Sequence, residues 1–272
     1  MREIILLSLF FLAVSLFSIY LGGLTKVAIE KGEIEPVFEN PSDYTNSLFM
    51  FLLILIGTII VFLFVKVKLE FMKVVENIAL FLLISTTFSY FLPSFTPFIL
   101  SFLLILLSEI KPSFILKNFC IFLAIPSASA IIGASLDYKV LFLFFLILSI
   151  YDIVSVFLTK HMVYFAEKML NRPTAFISVF PSGKIRKIKF TKGFRKVRVV
   201  ALGTGDYFMS SSICVSLLQL GIKPAIITSL VNTLTIFLLF YLIQKREVSR
   251  PLPAIPFLFL SSIVSFLVSI YL

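Results

Sequence analysis

Long apolar segments dominate this sequence, and their length determines the class of fold. A helix that crosses the hydrocarbon core of a bilayer needs about 20 mostly apolar residues. Nine such runs follow one another along the chain: 4–24, 48–65, 74–92, 94–108, 119–136, 140–159, 199–220, 224–243 and 251–272. With 60% hydrophobic and only 14% charged residues, the chain has too few polar side chains to cover a water-soluble globule. We therefore predict an all-α polytopic membrane protein with nine transmembrane helices.

The runs predict one membrane-embedded domain over residues 1–272. Helices one to six occupy 1–159, a basic loop occupies 160–198, and helices seven to nine occupy 199–272. The third and fourth runs are separated only by 93–97, so they predict either a tight helical hairpin or a partly re-entrant segment. The first run is long for a signal peptide and no small-x-small cleavage site follows it, so we interpret it as a retained helix.

Basic residues are distributed unevenly between the loops. The loop 160–198 carries eleven Lys or Arg residues and a single acid. With a cytoplasmic N-terminus, 20 of the 24 basic residues fall on the cytoplasmic side. The four outside are Lys26, Lys31, Lys139 and Lys223. The positive-inside rule therefore predicts an N-in, C-out protein of the cell membrane.

The basic loop has an ordinary explanation in a membrane protein. Lys and Arg residues beside a bilayer bind anionic lipid or set the topology, and we expect that role here. Nothing in the sequence resembles a nucleic-acid recognition module, so we expect no nucleic-acid partner.

Two acids lie inside predicted helices, whereas the others lie in loops or at helix ends: Asp152 and Asp206. An acid at the centre of a membrane helix costs about 2.5–3.5 kcal/mol on insertion scales, so each is a functional candidate. Neither run contains a Lys or Arg to pair with them. Each acid is seven residues from the cytoplasmic end of its run, which is a depth of about 10 Å. We therefore expect the two carboxyl groups to meet on adjacent antiparallel helices.

Two carboxyl groups that share a buried site hold one proton between them, so one acts as base while the other acts as acid. This pair can activate water against a peptide carbonyl. It can also couple protons or cations in a transporter, and the two acids alone leave both functions open.

The residues beside the acids favour proteolysis. Gly203 and Gly205 lack Cβ atoms and let a backbone approach Asp206, although glycines also serve close helix packing. Tyr151 places a hydroxyl beside Asp152, although it is equally typical of an interfacial aromatic.

The ninth run opens with three prolines, which loosen a helix start and leave backbone groups unpaired: Pro251, Pro253 and Pro256. Such backbone is tolerated at membrane depth only where it lines protein or a water cavity. A peptide that must be extended before cleavage needs such room and such backbone partners.

Together the three motifs, Tyr151-Asp152, Gly203-x-Gly205-Asp206 and Pro253-Ala254-Ile255, resemble the presenilin and signal-peptide-peptidase family of intramembrane aspartyl proteases, in an archaeal-type form. The resemblance implies cleavage of transmembrane helices within the bilayer, with Asp152 and Asp206 as the catalytic pair and the other motif residues in support. It implies no cofactor. Presenilins share the N-in orientation, whereas signal peptide peptidases are inverted. Accessory subunits are not evident from the chain.

This sequence departs from the family in its third motif, which is Pro-Ala-Leu in relatives. Ile255 keeps the volume of the leucine and adds β-branching, so we expect activity to be retained.

Other functions remain as alternatives. Prepilin and preflagellin peptidases also use Gly-x-Gly-Asp in membranes, but they resemble shorter chains with fewer helices. A proton-coupled transporter would be favoured by inverted repeats, and helices one to four contain no counterparts of the motifs. The only histidine, His161, provides too few ligands for a metal site and no buried base for a serine protease.

The end of the basic loop shows strand periodicity. Residues 186–190 and 196–200 alternate basic or polar with apolar side chains, and Thr191-Lys192-Gly193 supplies a turn. We predict a short β-hairpin that leads into helix seven and pairs with an unwound substrate at its edge. The alternative is a basic loop that only holds anionic lipid.

Overall fold

The computed structural model of this chain describes residues 1–67, 69–158, 174–181, 199–245 and 252–271. Nine α-helices lie in these ranges: α1 (Arg2–Glu30), α2 (Thr45–Val67), α3 (Leu69–Ser89), α4 (Thr96–Ile110), α5 (Phe114–Ser135), α6 (Tyr138–Ile153), α7 (Thr204–Ser216), α8 (Ile222–Lys245) and α9 (Ile255–Tyr271). Two antiparallel strands, β1 (Ile177–Pro181) and β2 (Val199–Gly203), precede α7. The fold is therefore mostly helical, with a two-stranded sheet.

Four of these helices are long and apolar enough to cross a membrane: α1, α5, α8, and α6 with the π-helical turn Val154–Leu158 that continues it. Three shorter apolar helices, Thr45–Ile60, Thr96–Ile110 and Ile255–Ile270, lie beside them. Each of the nine predicted runs overlaps one helix, and the third and fourth form a helical pair, α3 and α4, in contact. The count of nine transmembrane spans stays a prediction.

The seventh predicted span, 199–220, is wrong as a single helix. Its first five residues form β2, α7 begins at Thr204, and a 3₁₀ turn, Leu217–Gln219, follows α7. The β-branched pair Val199-Val200 suits a strand, and pairing with β1 satisfies the backbone there. Asp206 consequently lies in the first turn of α7, not seven residues into a helix as its predicted depth assumed.

The structure tests the predicted β-hairpin only in part. β2 overlaps the predicted second strand, and it pairs with β1 in a register that places Val179 opposite Ala201. The predicted first strand, 186–190, and the turn 191–193 lie outside the described residues, so they stay a prediction. The predicted loop 160–198 also contains the strand β1, which the periodicity did not predict.

Two predicted boundaries also move. The ninth span starts late, since α9 begins at Ile255 and its first backbone bond runs from the Leu258 N–H to the Ala254 carbonyl at 3.1 Å. The predicted loop 109–118 is mostly helix, because α5 begins at Phe114. Ser113 caps α5 by accepting the Leu116 N–H at 3.2 Å.

The helix ends alternate between two sides of the bundle. On one side the N-terminal amine donates to Oε1 of Gln244 at 3.3 Å, which joins the start of α1 to the end of α8. On the other side the Asp137 N–H donates to the Pro41 carbonyl at 3.0 Å. The Gln219 side chain donates to the Leu136 carbonyl there at 2.9 Å. These contacts agree with the alternation that the predicted topology requires. Which of the two sides faces the cytoplasm stays a prediction.

The core lies where α1, α5 and α7 meet. Val215 of α7 fills the space beside Gly22 of α1 and Gly133 of α5. A Cβ atom on Gly22 would stand 2.4 Å from Cγ1 of Val215, so the glycine permits this close approach. The packing fixes α7, and with it the first turn that carries Asp206.

Candidate active site

Asp152 lies in the last turn of α6 and is buried, with 8% exposure. Its Oδ2 atom accepts a hydrogen bond from the Ile255 N–H at 3.3 Å. The π-helical turn follows at once, and the Ser155 hydroxyl donates to the Asp152 carbonyl at 3.0 Å. Such turns occur frequently at functional sites because they re-aim the backbone of a helix.

Asp206 is the third residue of α7 and is half-buried. Its carboxyl group turns back towards Gly203, the residue that caps α7, and the backbone N–H there stabilises the charged form. The arrangement resembles half of a capping box, in which the side chain of the third helical residue returns to the N-cap amide. The positive end of the helix dipole also favours a carboxylate at this position.

The glycines of this motif have different surroundings. A Cβ atom on Gly203 would stand 3.2 Å from Oδ2 of Asp206, so the carboxyl group uses the space that glycine leaves. A Cβ atom on Gly205, which is exposed, would meet none of the described residues within 4 Å. In the described part of the chain there is therefore open space beside Gly205, next to the acid.

The carboxyl groups of Asp152 and Asp206 are close enough to interact electrostatically. They come from α6 and α7 and so form one site, although 54 residues separate them in the sequence. Among the residues that the structure describes, neither acid takes part in an ion pair. Asp152 instead accepts the Ile255 N–H, and the Asp206 carboxyl lies against Gly203.

The third motif lies at the same site. Pro253 and Ala254 are buried, and Ile255 is half-buried at the start of α9. The first N–H groups of a helix lack partners within it, so the Ile255 N–H is available for Asp152. Among the described contacts, this motif therefore reaches Asp152 through a backbone N–H and not through a side chain. Tyr151, by contrast, packs α6 against α2 through an edge-on contact with Phe51, with ring centroids 5.8 Å apart.

The sequence analysis missed the residues that hold the sheet against α7. The hydroxyl of Ser178 in β1 lies 2.6 Å from the hydroxyl of Tyr207, and it donates to the Leu202 carbonyl at 3.2 Å. The Tyr207 ring is fully buried and contacts Phe10 and Phe11 of α1. Tyr207 directly follows Asp206, so its anchoring fixes the helix start that presents the acid. The position of Tyr207 directly after Asp206 was a signal in the sequence. Its partner Ser178 lies in the predicted loop 160–198, where no feature of the sequence marked it.

A third buried acid was also missed. Glu76 of α3 is 4% exposed, and its Oε1 atom lies 3.1 Å from Nζ of Lys117, itself buried near the start of α5. Lys117 also pairs with Glu109 at 2.9 Å. Both acids lie near the ends of predicted runs and Lys117 lies between two runs, so hydropathy provides no reason to expect that they are buried. His161 lies outside the described residues, and the described ones contain no group of three or more His, Cys, Asp or Glu side chains suited to a metal.

Apolar helices arranged around two interacting carboxyl groups define a helical membrane protein with an aspartate pair in its interior. Over residues 8–272 the sequence matches the family described as "Signal-peptide peptidase, presenilin aspartyl protease". The chain belongs to this family, which is embedded in membranes, so the family predicted from the three motifs is confirmed.

The fold is similar to that of solved presenilin-family structures. A presenilin family intramembrane aspartate protease in space group C222 superimposes with a TM-score of 0.69 at 18% identity, covering 98% of each chain. A structure of a presenilin family intramembrane aspartate protease in space group P2 superimposes with a TM-score of 0.66 at 17% identity, covering 96% of each chain. A comparison with curated proteins finds no match. The chain therefore has the fold and family of an intramembrane aspartyl protease.

Proposed function

We propose that this chain is an intramembrane endopeptidase that hydrolyses peptide bonds within transmembrane helices, with Asp152 and Asp206 as its catalytic pair. The observation that supports this most is the meeting of the two carboxyl groups at one site. The Ile255 N–H holds the Asp152 carboxyl, and the Asp206 carboxyl lies against Gly203, which orients the pair through backbone groups. Among the described residues, the open space beside Gly205 leaves room for a peptide.

The proposed chemistry needs one proton on the pair at the outset. The ionised carboxylate takes a proton from water as the water oxygen attacks the peptide carbonyl carbon, and the protonated carboxyl group gives its proton to the carbonyl oxygen. The tetrahedral intermediate then loses its C–N bond. The amine nitrogen takes the proton from the first acid, and a hydroxyl of the intermediate returns a proton to the second. The pair ends with one proton, ready for the next cycle.

A peptide must unwind before it can react, and its freed backbone groups need partners. β2 is suited to supply them. Val179 exchanges both of its backbone bonds with a side chain outside the sheet, so Val179 and Ala201 form a non-hydrogen-bonded pair. The N–H and C=O groups of Ala201 consequently point to the outer edge of β2. An extended peptide that pairs there runs beside the strand that ends at Asp206.

The proposal includes the membrane arrangement. The chain spans the cell membrane nine times with its N-terminus in the cytoplasm, and it acts as a single domain on membrane-spanning protein substrates. It uses no cofactor and no accessory subunit. The basic loop places positive charge against the anionic inner leaflet.

The first prediction tests the pair directly. Asp152→Asn and Asp206→Asn should each lower the cleavage of a single-span substrate by about 10²–10⁴-fold, because the reaction needs both an acid and a base. The assay uses the purified full chain in liposomes and measures products by mass. A transition-state analogue of aspartyl proteases should compete with the substrate.

Asp137→Asn is a matched control. Asp137 caps α6 on the other side of the bundle by accepting the Lys139 N–H at 2.8 Å, and asparagine caps equally well. This variant should cleave at the parent rate. Cleavage that persists in either catalytic variant would exclude the assignment, and proton-dependent solute flux without proteolysis would favour the transporter.

A further inference from the structure

A buried asparagine joins the last three helices. Asn232 lies near the middle of α8 and has 0% exposure. Its Nδ2 atom donates to the hydroxyl of Ser210 in α7 at 2.8 Å and to the hydroxyl of Ser262 in α9 at 2.9 Å. Its Oδ1 atom accepts the hydroxyls of Ser261 and Ser262 at 2.6 and 3.2 Å. One amide therefore uses both of its donors and both of its acceptor sites to hold α7 and α9 against α8.

A second polar contact supports the packing of α8 on α9. The Ser265 hydroxyl donates to Oγ1 of Thr228 at 2.9 Å, and both residues are buried. Thr228 lies one turn before Asn232, and Ser265 lies about one turn after Ser262, as two antiparallel helices require. An amide whose partners are all present specifies one arrangement of the helices around it. A slide of α8 by one turn, about 5.4 Å, would break these bonds together, so the network fixes the register of the three helices.

This network connects the parts of the chain that hold the two acids. Ser210 lies one turn after Asp206 in α7. The two serines of α9 that bind the amide lie about two turns after Ile255, whose N–H donates to Asp152 at 3.3 Å. The register that Asn232 sets between α7 and α9 therefore also sets where Asp206 stands relative to the N–H that holds Asp152.

On its other side, α9 is packed against the helix of the first acid. The ring of Phe259 in α9 lies edge-on to Phe145 in α6, with centroids 5.7 Å apart. Further along, Phe266 contacts Phe142 with centroids 5.5 Å apart. These aromatic contacts hold α6 and α9 together, so the placement of α7 against this pair depends on the polar contacts of α8.

We propose that Asn232 is a positioning residue, which sets the separation of the two catalytic carboxyl groups by fixing α7 against α9. This inference rests on the proposed function and adds to it a residue outside the three motifs. None of the four hydrogen bonds of Asn232 reaches an acid, so it acts through the helices. A single buried asparagine sets the register of some coiled coils in the same way. Without the amide, the three helices are held by packing, which specifies their register less strictly.

A positioning role has a specific kinetic signature. Asn232→Leu keeps the approximate size of the side chain and removes all four hydrogen bonds. The groups that contact the substrate are unchanged, so KM should stay at the parent value. The value of kcat per active site should fall about tenfold or more, because a small misplacement of catalytic groups slows a reaction strongly. Active sites are counted by titration with the transition-state analogue, so an inactive fraction cannot imitate this result.

The pH profile of kcat gives a second readout, which a loss of stability does not move. Two interacting carboxyl groups titrate in two steps, and the spacing of the steps grows with their interaction. The native register brings the carboxyl groups together, so a relaxed register separates them. A separation larger by about 2 Å should bring the acid and alkaline limbs of the profile closer by about half a pH unit. Asn232→Leu should therefore have a narrower profile than the parent.

Ser210→Ala is a milder variant, which removes only the bond to α7 and should lower kcat by a smaller factor. Thr87→Val is the matched control, because the Thr87 hydroxyl donates to the Leu123 carbonyl at 2.6 Å and so forms a buried bond between α3 and α5. It should keep the parent kcat, KM and pH profile even if its melting temperature falls. All chains are compared as full-length protein in liposomes with one single-span substrate.

Each outcome decides the matter. A parent value of kcat in folded Asn232→Leu would overturn the inference, and so would a raised KM with kcat unchanged. A lower kcat with a pH profile of parent width would also overturn it, and so would an equal loss of kcat in Thr87→Val. If Asn232→Leu does not fold, Ser210→Ala decides by the same criteria. Parent cleavage that survives Asp206→Asn would instead refute the proposed function, and the inference with it.

Discussion

At the scale of single residues, backbone groups orient the two acids. Asp152 depends on the N–H of Ile255, and Asp206 lies against the backbone of Gly203. The identities of the residues at these places matter mainly through their effect on the backbone. Glycine at 203 leaves the 3.2 Å gap that the carboxyl group occupies, and Pro253 restricts the chain that leads into α9.

A prediction at this scale separates backbone from side chain in the third motif. Ile255→Leu should retain or improve activity, because the N–H that contacts Asp152 is unchanged. Pro253→Ala should lower kcat by about two- to fivefold, since the fixed φ of proline contributes about 0.4–1 kcal/mol of ordering. Steady-state cleavage of a single-span substrate measures both. Full activity in Pro253→Ala would show that the motif only starts a helix.

At the scale of elements, the decisive feature is the change from strand to helix at Gly203. β2 and α7 are continuous in the chain, so a peptide bound to the strand is delivered to the first turn of the helix. The hydroxyl and the N–H of Thr204 both donate to the Phe176 carbonyl, at 3.2 and 3.0 Å. The helix start is therefore bound to the chain just before β1 and moves with the sheet.

The direction of the backbone groups in β2 gives a second prediction. Ala201→Pro removes an N–H that faces the outer edge of β2. This N–H makes no hydrogen bond to β1, so the fold should persist. Loss of one such bond to substrate should lower kcat/KM by about tenfold, which corresponds to about 1.4 kcal/mol. Leu202→Pro is the contrasting variant, because the N–H of Leu202 faces β1 and its loss should lower the melting temperature. Parent kcat/KM in a folded Ala201→Pro protein would exclude pairing at this edge.

At the scale of the whole molecule, the buried ions of α3, α4 and α5 join distant parts of the chain. Glu76 and Lys117 are 4% and 3% exposed in their side chains. The Glu76 carboxylate also binds Thr174 and Ala175, which are 98 and 99 residues away. A buried charge that loses its partner is costly, so this cluster resists any separation of the sheet from the helices.

Substitution of Glu76 tests the contribution of that cluster to stability. Glu76→Ala should destabilise the protein by about 3–5 kcal/mol, because it leaves Lys117 with Glu109 alone and removes the acceptor of Thr174 and Ala175. Glu30→Ala is the control. It removes an exposed pair with Lys26 at 4.0 Å and should change the free energy of unfolding by less than about 1 kcal/mol. Denaturant unfolding in detergent measures both, and equal effects of the two variants would contradict the prediction.

The helical class, the family and the identity of the two acids can be predicted from the amino-acid sequence. Long apolar runs are local features, and a bilayer leaves such a run little choice but to form a helix because its backbone bonds must be satisfied within it. Asp152 and Asp206 stood out for the same reason, since an acid in a long apolar run is costly. The motif residues around them were readable because they adjoin the acids in the chain.

The contacts that hold the site in place depend on how the chain folds and could not be predicted from the sequence. Val199–Gly203 lies at the start of an apolar run, and its pairing with Ile177–Pro181 made it a strand where hydropathy predicted a helix. Asn118 forms a hydrogen bond with Val179, which is 61 residues away in the chain. Lys117 can be buried because it forms salt bridges with Glu76 and Glu109. Periodicity and hydropathy report the neighbours of a residue along the chain. Pairing of strands and satisfaction of buried polar groups depend on partners that folding brings from far away.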